Sequence, residues 1–340
     1  MVKRAATMLG NRLRDWAAAR GYGLAIADAG VVEEVRKKLE ERKASGAIDA
    51  GFFEEYLTKF RYLEGTSIKG SMCVVMTVVP SPISVLPVTV AGRKIEALIP
   101  PTYVRYNATF KDVLDDMKEN ALGAEAEVET LKAPLKSLAA HMGLVKYGRN
   151  NVSYCPGLGS GYQLCGYLLG TGERVGEWRA GAEGRETALE RCGSCTACIK
   201  ACPTGAIRKD RFLISAERCF TLLSESRRPM PDWARPPDTP CLIGCMACQL
   251  VCPENKGRLR TVPSGMEFSA EETEAVIEAG RGLATSVAGG RDSVEASKNP
   301  AFASVRTKFE QLGMTEDIDV VGRNLEYFLS RLSNGVGPQQ

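Results

Sequence analysis

The stretch CGSCTACIKACPTGAI, residues 192 to 207, carries Cys192, Cys195, Cys198 and Cys202 in the spacing C-x2-C-x2-C-x3-C-P. A second set, Cys245, Cys248 and Cys252, follows C-x2-C-x3-C-P within GCMACQLVCPEN. A tight triplet with a trailing Cys-Pro belongs to the two-cluster ferredoxin arrangement, in which three cysteines hold one cubane and the cysteine before proline crosses to the other. Structural zinc more often takes paired C-x2-C knuckles. The second set needs a fourth thiolate, which Cys219 in AERCFTLL or Cys241 in PCLIGC could supply. The expected assignment is Cys192, Cys195, Cys198 and Cys252 for one 4Fe-4S cluster, and Cys202, Cys219, Cys245 and Cys248 for the other. Two such clusters make an electron wire. One end should meet an external donor protein of the ferredoxin or flavodoxin type, and the other whatever the N-terminal part of the chain holds.

The elements that must position these thiols fall into three expected segments: residues 1 to 180, the cysteine-rich module 181 to 258, and a helical segment 259 to 340. In the first, VVEEVRKKLEERKAS (31 to 45) reads as a charged amphipathic helix and SMCVVMTVVP (71 to 80) as a buried strand closed by proline. TFKDVLDDMKENALG (109 to 123) and APLKSLAAHMG (133 to 143) read as helices that end at glycine. Helices and strands alternate, which predicts an α/β or α+β layer structure. The glycine-rich, charged stretch 170 to 186 reads as a connector into the module. Cys73, in the apolar strand run, is expected to be a core residue, and packing is the leading role for Cys155 and Cys165. His141, the single histidine, precedes Gly143 near a helix end, where it favours the helix dipole.

Composition bounds the partners. Lys and Arg outnumber Asp and Glu by 44 to 41, too weak a balance to announce a polyanion. No segment reaches the roughly 18 apolar residues of a membrane span. The basic N-terminus has apolar residues at helical spacing and reads as a first helix. With twelve cysteines and no sign of export, the protein is expected to be cytoplasmic, with its thiols reduced. From residue 259 onward eight Lys and Arg face twelve Asp and Glu, a net of −4, so the tail is a poor grip for nucleic acid and its helices are expected to pack on the module or serve an interface. Arg208, Lys209 and Arg211 form a small basic group after the first motif. Such a loop could dock an acidic electron donor, touch phosphates or be an ordinary solvated turn.

At this point the chain resembles a known family. CGSCTACIKACPTGAI, AERCFTLL and GCMACQLVCPEN, in this order, are similar to the double-cluster module of epoxyqueuosine reductases, whose relatives include the reductive dehalogenases. GLVKYGRNN (143 to 151) lies where that family carries a GLGWIGKN-like segment, and IADA, VVMTVVPSP and VRYNATFKDVL resemble its N-terminal blocks. The resemblance covers about residues 10 to 260. It implies an α+β fold: a nitroreductase-like corrinoid-binding domain, a bacterial two-cluster ferredoxin-like module and a helical tail. It also implies cobalamin beside the two 4Fe-4S clusters, low-valent cobalt chemistry, and a side chain that supplies a proton.

The family's acid is an aspartate, and the matching position, fourteen residues ahead of Gly143, holds Glu129. The added methylene moves the carboxyl by roughly an ångström, enough to change the substrate. Read by itself, Glu129 opens a helical stretch beside Glu125 and Glu127 as a solvated acid. The family's bulky apolar pair becomes Lys146 and Tyr147, and Tyr147 is the second candidate proton donor; the plain alternative is a snorkelling lysine and a core tyrosine. Gly148, Arg149 and Asn150 are the expected corrinoid contacts, with a helix-end turn as the alternative. The leading expectation is a corrinoid-dependent iron–sulfur oxidoreductase acting on an unidentified substrate, a small molecule or a corrinoid protein. Reduction of epoxyqueuosine in tRNA stands second. An electron-transfer protein that reduces a partner's corrinoid is the reading from another class.

Overall fold

A computed structural model of the 340-residue chain describes residues 2–90, 92–171, 188–285 and 299–333. Most of the expected connector, 170 to 186, lies outside them. The chain forms two compact units: residues 1–81 with 107–195, and residues 82–106 with 196–340. This division differs from the three expected segments, because a β-hairpin at 83–99 joins the second unit and the boundary at Cys195 cuts through the first cysteine motif.

The first unit is built on a sheet with apolar residues on both faces. Its strands are β1 (Gly23–Asp28), β2 (Met72–Pro80), β5 (Val128–Thr130) and β8 (Tyr162–Gly170), in the antiparallel order β1-β2-β8-β5. Side chains alternate across a strand. Val74, Met76 and Val78 therefore face one core, with Val32, Val35 and Leu39 of α2 (Gly30–Ala44) and Leu138 to Ala140 of α5 (Leu135–His141). Cys73 and Val75 face the other, with Leu13 and Trp16 of α1 (Val2–Ala19) and Val113 and Met117 of α4 (Tyr106–Met117). A strand covered on both faces reads as an unbroken apolar run, which is what MCVVMTVVP is. A single helical turn, α3 (Ala50–Phe52), follows α2. Arg20 pairs with Asp116, which also accepts from Trp16 Nε1 at 2.8 Å, so α1 is tied to α4 by charge as well as by packing.

One expected element differs. Glu129 does not open a helix; it sits in β5, opposite Leu168 of β8. The alternation Glu127, Val128, Glu129 suits a strand, Val128 packs on the apolar face, and the flanking bonds Gly170 N–H to Glu127 O (2.9 Å) and Leu131 N–H to Gly166 O (2.8 Å) continue the ladder. After α5 the chain turns at Gly143 (φ 75°) into a small hairpin, β6 (Lys146–Tyr147) and β7 (Ser153–Tyr154).

The second unit has its own sheet, β4 (Arg93–Ile99), β3 (Ile83–Val90) and β9 (Thr261–Pro263), with β3 antiparallel to β4 and parallel to β9. The tail helices α9 (Ala270–Thr285), α10 (Phe302–Leu312) and α11 (Ile318–Ser333) supply Val276, Phe309 and Val321 to a core shared with Leu86, Val88 and Ile99 of the hairpin and with Leu242 and Ile243 of the cysteine module. The tail thus packs on the module, as expected. Among the described residues no helix is long and apolar enough to cross a membrane.

The crossing of α9 and α11 depends on Gly280 and Gly322. A Cβ built on Gly322 would stand 1.9 Å from the Val276 carbonyl oxygen, and one on Gly280 would stand 2.0 Å from the Arg323 nitrogen. Backbone meets backbone there, so no side-chain rotation can make room. Gly322→Ala is expected to destabilise the chain by about 3 kcal/mol, at the upper end of overpacking costs, read as a fall in the denaturant midpoint at unchanged slope.

Candidate metal centre

In the first unit, the β6–β7 hairpin carries the segment that holds Cys192. Leu189 N–H donates to Tyr147 O at 2.8 Å, and Tyr147 pairs with Ala188 in a parallel bridge. Arg149 then grips the cysteine twice: its backbone N–H donates to Cys192 Sγ (3.4 Å) and its guanidinium Nη2 to Cys192 O (2.8 Å). The turn that presents Arg149 is close-packed. A Cβ on Gly148 would lie 2.5 Å from Asn150 Oδ1 and 2.7 Å from the Tyr154 ring, and Asn151 sits in the left-handed region at φ 58°.

The expected corrinoid contacts are therefore also the framework of this turn. Buried Asn150 donates to Tyr154 Oη (2.8 Å) and accepts from Val152 N–H (3.3 Å). Tyr147 is buried with its hydroxyl 3.2 Å from Ser137 Oγ, and the Lys136 ammonium lies 5.7 Å from its ring centre while donating to Asn151 O at 2.8 Å. Lys146 is exposed.

Glu129 is half-buried, and its Oε1 accepts from Ser67 N–H (2.9 Å) and from the Ser67 hydroxyl. These bonds, the hydroxyl's foremost, hold its pKa below the usual glutamate value, so in this position it is a carboxylate at neutral pH. Ser67 was missed in the sequence because it lies on a loop 62 residues away. His141 closes α5, buried, with Nδ1 2.8 Å from Lys38 Nζ and Nε2 2.8 Å from Glu34 Oε2. Lys38 donating at Nδ1 leaves Nε2–H to bond Glu34, a neutral tautomer that ties α5 to α2. Cys73, Cys155 and Cys165 are buried, and desolvation pushes their thiols up to about 12, 11 and 11. They are packing groups.

In the second unit, Cys198 lies on α6 (Ala197–Ala201) and Cys248 on α8 (Ala247–Leu250), two short helices in mutual contact, one from each motif. Cys219 immediately precedes α7 (Phe220–Glu225). Burial raises its pKa, while the backbone N–H groups of Thr221 and Leu222 donate to the sulfur and oppose the rise. Cys245 is raised further still by burial, with Ala247 N–H opposing. A charge on Cys202 is felt at Cys219, and charges on Cys248, Cys241 and Cys219 are felt at Cys245. Desolvated thiols that repel one another's charge stay protonated unless a cationic centre neutralises them. Two desolvated sulfurs, Cys219 and Cys245, each served by backbone N–H donors, fit ligands of an iron–sulfur cubane, whose hydrogen bonds to sulfur tune its potential. Among the described residues, no three Cys, His, Asp or Glu side chains converge as a mononuclear site requires; a cubane spreads its thiolates over four irons.

A buried cation fixes this half of the module. Arg323 of α11 is 2% exposed and donates to the carbonyls of Leu223 (3.1 Å), Ser224 (2.9 Å), Ser226 (2.5 Å) and Arg228 (2.5 Å). Asn324 adds donations to Ser224 O (3.1 Å) and Leu242 O (3.0 Å), and Ser224 Oγ accepts from Gly244 N–H (2.8 Å). The C-terminal end of α7 and the segment leading into Cys245 are thereby pinned to one another.

Residues 191–255 match the family described as the 4Fe-4S double cluster binding domain. Residues 191–255 are thus a 4Fe-4S double cluster binding domain within a chain of mixed helix and strand. Over 69 residues it is 45% identical to the epoxyqueuosine reductase of Bacillus subtilis (20% of this chain, 18% of that one), and over 236 residues 27% identical to that of Staphylococcus aureus (66% and 58%). It spans less than two thirds of either relative's length. The solved epoxyqueuosine reductase of Streptococcus thermophilus superposes with a TM-score of 0.61 at 17% identity, covering 94% of this chain and 80% of that one; the Bacillus subtilis structure gives 0.58 at 20%, covering 98% and 87%. The chain is a relative of the epoxyqueuosine reductases.

Arg323→Met is expected to remove the donor to the Ser226 and Arg228 carbonyls and one of the donors to those of Leu223 and Ser224, and to destabilise the chain by about 2–4 kcal/mol. Arg323→Lys, a single ammonium in place of a planar fork, should recover only part of that loss. Anaerobic thermal unfolding of the two variants beside the unaltered chain checks both statements.

Proposed function

We propose that the chain is an oxidoreductase that passes electrons through two 4Fe-4S clusters to cobalamin for a reductive reaction on a substrate yet to be identified. The observation that carries this reading is the grip of the 147–150 hairpin on Cys192, because the segment matching the family's corrinoid-side motif and the first cluster cysteine form one hydrogen-bonded piece. The clusters would be held by Cys192, Cys195, Cys198 and Cys252, and by Cys202, Cys219, Cys245 and Cys248. Bound cobalamin would supply a low-valent metal able to reduce substrate. The nitroreductase-like character of the first unit and a ferredoxin or flavodoxin donor belong to the same reading.

The chain's own part is to shape the turn and manage a proton. Gly148 lets backbone approach closely, while Arg149 and Asn150 stiffen the turn from within. Tyr147, beside the Lys136 ammonium and Ser137 hydroxyl, can donate a proton. Glu129 can do so only after exchanging Ser67 for another partner and acquiring a proton, since its present bonds favour the carboxylate. A second reading, epoxyqueuosine in tRNA as substrate, is supported by likeness to a solved epoxyqueuosine reductase in complex with a modified tRNA-Tyr stem loop, TM-score 0.54 at 18% identity. The acidic tail weighs against it.

Anaerobic purification with metal analysis tests the proposal. About eight irons per chain and one cobalt after incubation with cobalamin are expected. Iron without cobalt, and no spectral change on adding cobalamin, would leave an electron carrier. Gly148→Ala should lower cobalamin retention at least tenfold at unchanged iron content, as judged by cobalt remaining after gel filtration. Glu129→Gln should leave both metals and dithionite reduction of the clusters intact; with a modified stem loop as probe, unchanged turnover would remove Glu129 from the proton step.

A further inference from the structure

The second unit carries an aromatic anchor beside the peptides that bear two of the expected ligands. Cys202 Sγ lies 3.8 Å from the hydroxyl of buried Thr204, and Thr204 O accepts from Arg218 Nε at 3.2 Å. Arg218 immediately precedes Cys219, and its guanidinium lies 4.6 Å from the centre of the Trp233 ring. Trp233 is 46% exposed. The indole nonetheless stands on a fixed support: Ala234 N–H donates to Pro231 O (3.0 Å), the Tyr327 hydroxyl of α11 donates to Ala234 O (2.5 Å), and Ala234 is fully buried. Pro231, Pro236 and Pro237 restrict the backbone on either side.

Between Thr204 and Arg218 the chain makes a loop whose base is closed by Ser215 N–H donating to Ala206 O (2.9 Å). The loop carries Arg208, Lys209 and Arg211 against Asp210, a net of +2, and its Phe212 is 37% exposed. Arg218 joins the loop to the anchor, since it bonds the loop's base and covers one face of the indole. Tryptophan and arginine dominate the energetics of protein–protein contacts, and a side chain fixed before docking loses little entropy there. The charges select the partner. A protein with discrete acidic residues can meet the loop and avoid Asp232 and Asp238 on the indole's own segment, whereas a nucleic acid presents charge at every phosphate and is repelled by them. Cys202 and Cys219 belong to the expected cluster whose four cysteines all lie in the second unit, so the partner that suits this surface is one that delivers electrons.

We propose that Trp233, Arg218 and the 206–215 loop form the docking surface for an acidic one-electron carrier protein, which reduces the cluster of Cys202, Cys219, Cys245 and Cys248. At each encounter the reduced carrier loses one electron and the oxidised cluster gains it, with no bond made or broken and no proton moved. Trp233 is the apolar centre of the contact, and Lys209 on the exposed part of the loop steers the acidic partner in. Electrons thus enter at the cluster that does not include Cys192. The inference rests on the two-cluster reading above.

The test uses the full chain with its clusters reconstituted anaerobically, photochemically reduced flavodoxin and plant-type ferredoxin as carriers, and dithionite as a small reductant that needs no docking surface. Trp233→Ala and Lys209→Glu should both keep the iron content and the dithionite rate of the unaltered chain. With a carrier that reduces the unaltered chain, Trp233→Ala should lower the second-order rate about tenfold and weaken calorimetric binding of the oxidised carrier by a similar factor. Lys209→Glu should slow the same reduction about tenfold at low ionic strength and less than about twofold at about 0.5 M salt, because screening removes the steering. An unchanged carrier rate in either variant overturns the proposal, as does a loaded chain that neither carrier reduces. Loss of tRNA stem-loop binding in Trp233→Ala at an unchanged carrier rate also overturns it and assigns the surface to nucleic acid. Lys209→Glu, on an exposed loop, carries the test alone if Trp233→Ala does not fold. An unaltered chain that never takes up about eight irons overturns the two-cluster reading itself, a distinct result.

Discussion

The buried guanidinium of Arg323 is the contact on which the second unit hangs. Taking a cation out of water costs several kcal/mol unless its donors are met. Here backbone carbonyls of residues 223 to 228 meet the donors of both terminal nitrogens, Nε is left without a partner, and the Asp319 carboxylate adds a favourable charge. Burial draws its pKa down to about 10, which leaves it charged at neutral pH. The acceptors include the last carbonyls of α7, so the cation lies at the negative end of that helix while the Cys219 sulfur lies at its N–H end. Gly280 and Gly322 let α11 come near enough to α9 for the arrangement to close. An acidic tail that is a poor partner for polyanions thus does its work inward, ordering the peptide around two of the thiols.

The first unit solves a related problem with the opposite means. Its sheet is largely apolar on both faces, and charged contacts tie the covering helices to one another: Arg20 with Asp116 between α1 and α4, and His141 between Lys38 and Glu34 where α5 meets α2. Because α5 is anchored at its last residue, its other face is steady, and from it Ser137 and Lys136 hold the hairpin that grips Cys192. Precision at the sulfur comes from a chain of such contacts leading back to a rigid sheet.

Much of this was legible before any coordinates. The apolar run at 71 to 80, the helices at 31 to 45 and 133 to 143, and the packing of the tail on the module follow from periodicity and charge, which act locally. What escaped was whatever depends on partners far apart in sequence. The hairpin at 83–99 belongs to the second unit because Ile83 to Val85 pair with residues 261–263, a match no local pattern announces. Glu129 looked helical because acids crowd around it, yet the alternation through Val128 and an open edge of β8 made it a strand. Arg323 reads in the sequence as an ordinary charged residue of an amphipathic helix. Its burial depends on two glycines on separate helices and on carbonyls about a hundred residues away.

The change in Glu129's setting alters what its charge can do. At a helix N-terminus the dipole and water would share a carboxylate. In β5 it is clasped by the backbone and hydroxyl of Ser67, two donors that are lost to it when it is protonated. A group whose folded pKa is depressed adds stability that is fully present above the ordinary glutamate pKa and fades as pH falls through the lowered one. The Ser67 contact therefore strengthens the loop at neutral pH and opposes proton donation under the same conditions. A carboxyl so placed serves as a latch on residues 66 to 68, and releasing that latch is the step that would turn it into an acid.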